Sequence, residues 1–571
     1  MHRARESGKH GAPARARWVE ASLLAAILPI AAAPGIAAER PRIYALTHAT
    51  VIPAPGQSIE SATVVIRDGL IEAVGAGVAI PADAVEIDAS ERWIYPGLID
   101  LDSDLGIKAD SPASGAPRGP SFGPPRSDTP AGAVHPLQRI RAEARTRDRL
   151  LPFSDDRQRE MERVREHGMT VVLATPGSGI LRGSSTAILL CDERPVSELI
   201  LRDNVAQHAA FERGRFGQGY PTSLMGSVAA LRQAFLDGGR YATWAERYAR
   251  NPSGMNRPEF HATSEALRPV LTGRQPIVFH TENAQDSLLA DRLGREFDLR
   301  VLLAASGQEW EVAERIAAAG RPMILPVAFP DKPKVDDEDE ALELSRRELR
   351  RYVEAPKAPL RLHEAGTRFA FTLRDLKNIA DFPKNMRKIL EAGLPEHVAL
   401  AAWTTHPAEM IGLDRVVGTL EPGKIANLIV ADGPLFGEET VLQHVFVDGI
   451  QYEIETKEKP KGDPDAVVDP RGAWSVAFDF GSRTMQREWT IGGEKDSYEG
   501  TAETQGGTVT FDSVELAGNA MTVVFPARGD RGSMEITVIV EGDSFEGVAE
   551  MGPRSVVVKG TRTAGPDGGV R

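Results

Sequence analysis

Two carboxylates stand either side of one serine in "YPGLIDLDSDLG", the stretch from Tyr95 to Gly106: Asp102 and Asp104, with Ser103 between them. If the apolar run before them is a strand, positions i and i+2 share a face and both carboxylates point the same way. Carboxylates held that close raise each other's pKa, so the pair calls for a cation or a positively charged neighbour. Oxygen donors suit magnesium, manganese or calcium, whereas zinc prefers imidazole and thiolate. The plainer alternative is a pair of solvated residues at a strand end that serves no metal.

Other chemistries have less to build on. Cys191 is the single cysteine, which excludes an intramolecular disulfide and a thiolate metal cluster; it follows the apolar run "TAILL" and is expected to be buried and inert. The twelve histidines never fall within four residues of one another, so no local zinc spacing such as HxxxH is present. "TPGSGILRGSS" is rich in glycine but lacks the ending of a phosphate loop, and is expected to be a tight loop. A formal charge of −14 sets the chain against nucleic acid and anionic lipid.

The elements that must position these groups fall into blocks. Residues 1–38 combine a basic start, an apolar run from Ala21 to about Ala33 and small residues before Glu39, the pattern of a secretory signal cleaved near Ala38. Pro29 and Pro34 interrupt the run, so no stable membrane anchor is expected, and the mature chain is placed in the periplasm. Losing that segment, with five basic and two acidic side chains, moves the charge from −14 to −17. Residues 42–93 alternate apolar and polar positions between Gly and Pro turns, as short antiparallel strands do. From about 136 the pattern becomes helix, strand, helix, strand: "MTVVLA", "PIVFH", "RVLLAA" and "PMILPVAF" are continuous apolar runs between amphipathic segments. That repetition over residues 94–413 predicts an α/β fold, a TIM-like (β/α)8 barrel of parallel strands. Short strands return over 414–455 and could pair with 42–93. A polar linker over 456–470 follows, and then a ladder of strands over 471–564, an all-β module of lipocalin-like or sandwich type. The acidic run at 336–340 reads as solvated chain.

"YPGLID", "TTHPAEMIGL" and "GTLEPGKIANLIVADG" resemble the amidohydrolase superfamily, close to its imidazolonepropionase-like branch, over about residues 42–455. The resemblance implies a barrel flanked by a composite β-sandwich built from both ends, and hydrolysis of non-peptide carbon–nitrogen bonds at a divalent metal. In that family an HxH pair ends the first strand, a lysine on the fourth is often carboxylated, histidines end the fifth and sixth, and an aspartate ends the eighth. Here the HxH positions are Asp102 and Asp104. The fifth-strand position is His280 in "PIVFHTEN", and the sixth offers Ala305 and Ser306. "RFAFTLRDLKN" sets Arg374 at the aspartate's place with Asp375 next to it, and no lysine occurs between Lys108 and Lys332. The resemblance thus implies a degenerate metal site, in which Asp102, Asp104 and His280, with Glu282 and the candidate catalytic Asp375, surround a hard cation, or else no metal at all. Arg374 offers the charge to neutralise one of the aspartates.

Three functions follow from these expectations. The first is a periplasmic hydrolase acting on a small molecule with a non-peptide carbon–nitrogen bond. The second is a non-catalytic relative that binds a small molecule or partners an intact amidohydrolase subunit. In the third the C-terminal β-module carries a ligand; an apolar interior cavity over 472–563 would favour it, and a packed interior would remove it.

Overall fold

The computed structural model describes residues 43–565, apart from 109–133, 215–219, 334–341, 455–461, 480–483, 527–533 and scattered single or paired positions. The expected signal segment, the acidic run and the first part of the linker, residues 456–461, lie outside the described residues.

Strands from both flanks share one sheet. Its order is Ile450–Glu453, Leu442–Val447, Leu428–Ala431, Trp93–Pro96, Ile43–Val51, Ile59–Arg67, Leu70–Ala76, with Val85–Asp88 beside Ile43–Val51. The join is Leu428–Ala431 running antiparallel to Trp93–Pro96, with Ile429 opposite Tyr95. Leu46, Val64, Ile66, Ile94, Leu428, Val430 and Phe446 form its buried face. Two hairpins in the sheet turn on Asp-Gly: Asp68 and Gly69, and Asp448 and Gly449, all have positive φ. Those are the conformations that a two-residue hairpin turn of the primed type requires. The turns also touch, since a Cβ on Gly449 would lie 2.7 Å from the Cα of Gly69.

Gly97 passes the chain from this sheet into the barrel. The first barrel strand, Leu98–Ser103, pairs in parallel with Met169–Ala174. On the other arc Gln207–Ala210, Ile277–His280, Val301–Ala304, Met323–Pro326 and Phe369–Thr372 are successively parallel. These strands are buried almost throughout, as runs covered on both faces should be. The last arc strand returns to the first through the Thr372 hydroxyl, which donates to the Asp102 carbonyl at 3.1 Å. One strand departs from the expected parallel order. Leu181–Ser184 and Thr186–Leu189, a single run bent at Ser185, are antiparallel to Gln207–Ala210 and Met169–Ala174. The reason is the connection: Thr175–Ile180 is six residues, enough to turn back but too short for a parallel crossover. "TPGSGILRGSS" is this turn and the strand after it.

Residues 472–564 form an antiparallel meander in which Thr484–Glu494 also pairs with Ser497–Thr504. That pairing closes eight strands into a barrel, with Gly507–Thr510 appended at Ser497–Thr504. Alternate residues point inward, as Trp474, Val476 and Phe478 do on Gly472–Asp479. The interior is filled by Trp474, Trp489, Phe511, Phe525 and Phe545, whose neighbouring ring centroids are 4.7–5.7 Å apart. An eight-stranded barrel is just wide enough to be filled in this way. Among the described residues, no helix is long and apolar enough to cross a membrane.

Candidate functional site

The carboxyl ends of the parallel strands meet around Asp102. Its side chain is 4% exposed, and three groups reach it. The Thr175 hydroxyl donates to Oδ1 at 2.7 Å, Nη1 of Arg374 lies 3.2 Å from the same oxygen, and Nδ1 of His280 lies 3.4 Å from Oδ2. Strand geometry explains each placement. Asp102 faces inward near the end of the first strand, Thr175 follows the second, His280 ends the fifth, and Arg374 follows the eighth by two residues.

His280 is itself engaged on its far side. Its Nε2 lies 2.9 Å from Nδ1 of His208. His208 is on the fourth barrel strand, paired in register with Val278, so it stands one layer below His280 on the same inward face. With Nδ1 of His280 facing the Asp102 carboxylate, Nε2 of that ring is left to accept from Nδ1 of His208; the tautomers are assigned from these partners. Nε2 of His208 is then a buried acceptor without a hydrogen-bond partner among the described residues.

The charges divide sharply. Burial works against ionisation of Asp102, but His280, Arg374 and the Thr175 hydroxyl outweigh it and hold the carboxyl well below the usual range. Two residues earlier, burial pushes Asp100 up to about 6, although it accepts from the Asp102 amide at 3.0 Å and the Leu373 amide at 3.1 Å. His208 falls well below the ordinary imidazole value through burial and the neighbouring His280. Burial also lowers His280, against the pull of Asp102 and with the push of Arg182. Arg182, largely buried, is a second guanidinium near this cluster, 3.9 Å from Glu212.

A cavity of about 760 Å³ opens over Asp102 and Arg374, and Asp100, Asp104, Lys108 and Asp375 also line it. The structure brings His280 to Asp102 but leaves the other expected ligands apart. Asp104 is exposed, because the strand ends at Ser103 and the chain turns there, the Asp104 carbonyl accepting from Ile107 N–H at 3.2 Å. The i, i+2 alternation therefore stops at Asp102. Asp375 is exposed at φ +65, and this left-handed turn leaves it on the cavity lip while Arg374 reaches inward. Glu282 is exposed after the fifth strand, and Ser306 is turned onto the buried Glu309, its hydroxyl 3.0 Å from Oε1. Cys191 is buried, and burial pushes its thiol up to about 12.

Among the described residues, no group of three or more His, Cys, Asp and Glu side chains is arranged to hold a metal ion. The donors present do not fit one. Asp102 is already balanced by a guanidinium, both nitrogens of His280 are engaged, and the sixth and eighth strands supply alanine, serine and arginine where ligands are expected. Sequence reasoning missed His208, Thr175, Arg182 and Asp100. His208 carried one usable signal, a lone histidine inside the strand-length run "VAQHAAF" before a long helix.

Residues 289–467 match the model of the amidohydrolase family, a stretch that starts after His280 and so omits Asp102, His208 and His280 themselves. Among curated proteins, amidohydrolase tasK of Hapsidospora irregularis is 24% identical over 463 residues, which cover 73% of this chain and 44% of that protein. The chain thus spans less than half the length of the curated relative it matches. Among solved structures, an amidohydrolase from Thermotoga maritima superposes with a TM-score of 0.57 at 21% identity, over 72% of this chain and 100% of that one. At that identity the likeness speaks for the fold. These matches do not distinguish the narrower imidazolonepropionase-like branch.

Proposed function

We propose, from the premise that the chain belongs to the amidohydrolase superfamily, that it is a hydrolase of small molecules with a non-peptide carbon–nitrogen bond, working with a degenerate metal site. The observation that carries this reading is the cavity over the carboxyl ends of the barrel strands, lined by Asp102, Arg374 and Asp375. Active sites of this fold lie at that end. Hydrolysis there needs a group to draw charge onto the carbonyl oxygen and a carboxylate to move a proton from water to the leaving nitrogen. The bond to Asp102 uses one of the five N–H groups of Arg374, so its guanidinium can also donate to a substrate oxygen. Asp375, beside it on the lip, is the carboxylate proposed to take the proton. The hard-cation set of Asp102, Asp104 and His280 is the less supported form of this site, because Asp104 stands apart on the exposed lip.

A second reading has its own support. His280 has both nitrogens engaged and Asp102 is neutralised, which suits a binding barrel or a partner of an intact amidohydrolase subunit. Ligand carriage by the C-terminal module is not favoured, since aromatic side chains fill its described interior. Export to the periplasm stays part of the proposal and rests on the composition of residues 1–38.

The test is turnover of a panel of cyclic amides and ureas by the purified chain, with and without chelator, and by Asp375→Asn. Asp375 is exposed, so that variant should fold normally. Turnover that survives chelation and falls at least tenfold in Asp375→Asn supports the hydrolase. Saturable binding without turnover in either protein moves the assignment to the second reading.

A further inference from the structure

We infer that the Arg374 guanidinium is the resident cation of this barrel, standing in for the divalent metal that the superfamily usually binds. The inference rests on family membership and on geometry, and does not depend on turnover. A carboxylate as buried as Asp102 is costly to ionise unless a positive partner and hydrogen bonds accompany it. Arg374 supplies the partner at 3.2 Å, Thr175 donates a hydrogen bond at 2.7 Å, Nδ1 of His280 faces the other oxygen at 3.4 Å, and Arg182 adds a second positive charge nearby.

Three further features fit a guanidinium and not a metal ion. The His280 lone pair that a metal would need is directed at His208. The sixth strand ends in Ala304, followed by Ala305 and Ser306, and the Ser306 amide and hydroxyl both donate to Glu309. The eighth strand holds its loop through its own bonds, with the Arg374 amide donating to Thr372 and the Leu373 amide to Asp100. Arg374 is therefore aimed at Asp102 by backbone contacts on both sides of the pair. Being part of the chain, a guanidinium placed in this way also differs from a metal ion in that a chelator cannot remove it.

The experiment is thermal denaturation of the full chain as wild type, Asp102→Asn, Arg374→Met and the double variant, with metal content measured on each. The expected results are less than 0.1 divalent metal per wild-type chain and no change in Tm on adding chelator or manganese or zinc. Arg374→Met, which strands the Asp102 charge, should lower Tm by roughly 5–10 °C. Adding Asp102→Asn should restore at least half of that loss, because the double variant leaves no buried charge unpaired. If Arg374→Met does not fold, folding of the double variant is the same result in stronger form. Stoichiometric metal lost in Asp102→Asn, losses that simply add, or failure of both Arg374 variants to fold would each overturn the inference. Absence of hydrolysis would overturn the hydrolase reading and leave this one standing.

Discussion

Thr175→Val separates the charge of Asp102 from its shape. The exchange keeps the branched outline of the side chain and removes the shortest of the three contacts to the carboxylate, 2.7 Å against 3.2 and 3.4 Å. Thr175 is fully buried and Asp102 is 4% exposed, so water replaces the lost donor poorly. The same hydroxyl lies 3.4 Å from the Ser103 carbonyl, but it has one hydrogen, and the shorter path to the carboxylate takes it. A hydrogen bond to a charged group contributes about 1.5–3 kcal/mol and a neutral one about 1 kcal/mol. Thr175→Val should therefore cost about 2 kcal/mol in the wild-type background. In an Asp102→Asn background, where the acceptor is a neutral amide, it should cost about 1 kcal/mol or less. Chemical denaturation of the four proteins, followed by tryptophan fluorescence, reads the difference. Equal losses in both backgrounds would refute the view that Asp102 is an ionised acceptor and that its environment is arranged around that charge.

Asp100 sets a pH dependence. Its folded value of about 6 lies above the ordinary carboxylate value near 4, so the native state holds a proton that the unfolded chain has released between these limits. Stability from this group is thus present below about pH 4 and is lost as pH rises through 6, up to about 3 kcal/mol. Asp100→Asn should remove that slope, seen as a Tm difference from wild type that changes between pH 4 and 6 and is flat above 7. Gly97→Ala should cost at least 1–3 kcal/mol, because its Cβ would lie 2.3 Å from Oγ1 of the buried Thr170, and adding Thr170→Ala should recover part of the loss in the same melting assay. Arg165→Met should cost about 3–5 kcal/mol, because it leaves Asp192 buried without the two bonds of 2.9 and 2.7 Å that now pair it; a loss under 1 kcal/mol in denaturant titration would refute this.

These sites also mark where sequence patterns carried information and where they ran out. The flank strands were legible because half-buried strands alternate, and the two Asp-Gly turns are local signals that need no tertiary partner. In the C-terminal module, the alternation of Gly472–Asp479 marks one face as interior. Closure was not legible, because it depends on Thr484–Glu494 pairing with strands on both sides. The antiparallel third strand was present in the sequence as a six-residue connection, but the repeating helix and strand pattern around it argued for the opposite direction.

At the site, Asp102 and His280 could be found because motif and strand end coincide. Asp104 could not be placed, because alternation predicts a face only while the strand lasts, and the strand stops one residue too soon. His208, by contrast, sits in a strand buried on both faces, where no alternation distinguishes inward from outward. Thr175 and Arg374 acquire their roles only when the second and eighth strands are brought to the first. Motif reasoning therefore identifies which ligands this barrel lacks, and only tertiary geometry identifies the guanidinium that takes their charge. A test at Arg374 bears on the chemistry more directly than one at Asp104, because Arg374 touches the buried carboxylate and Asp104 faces solvent.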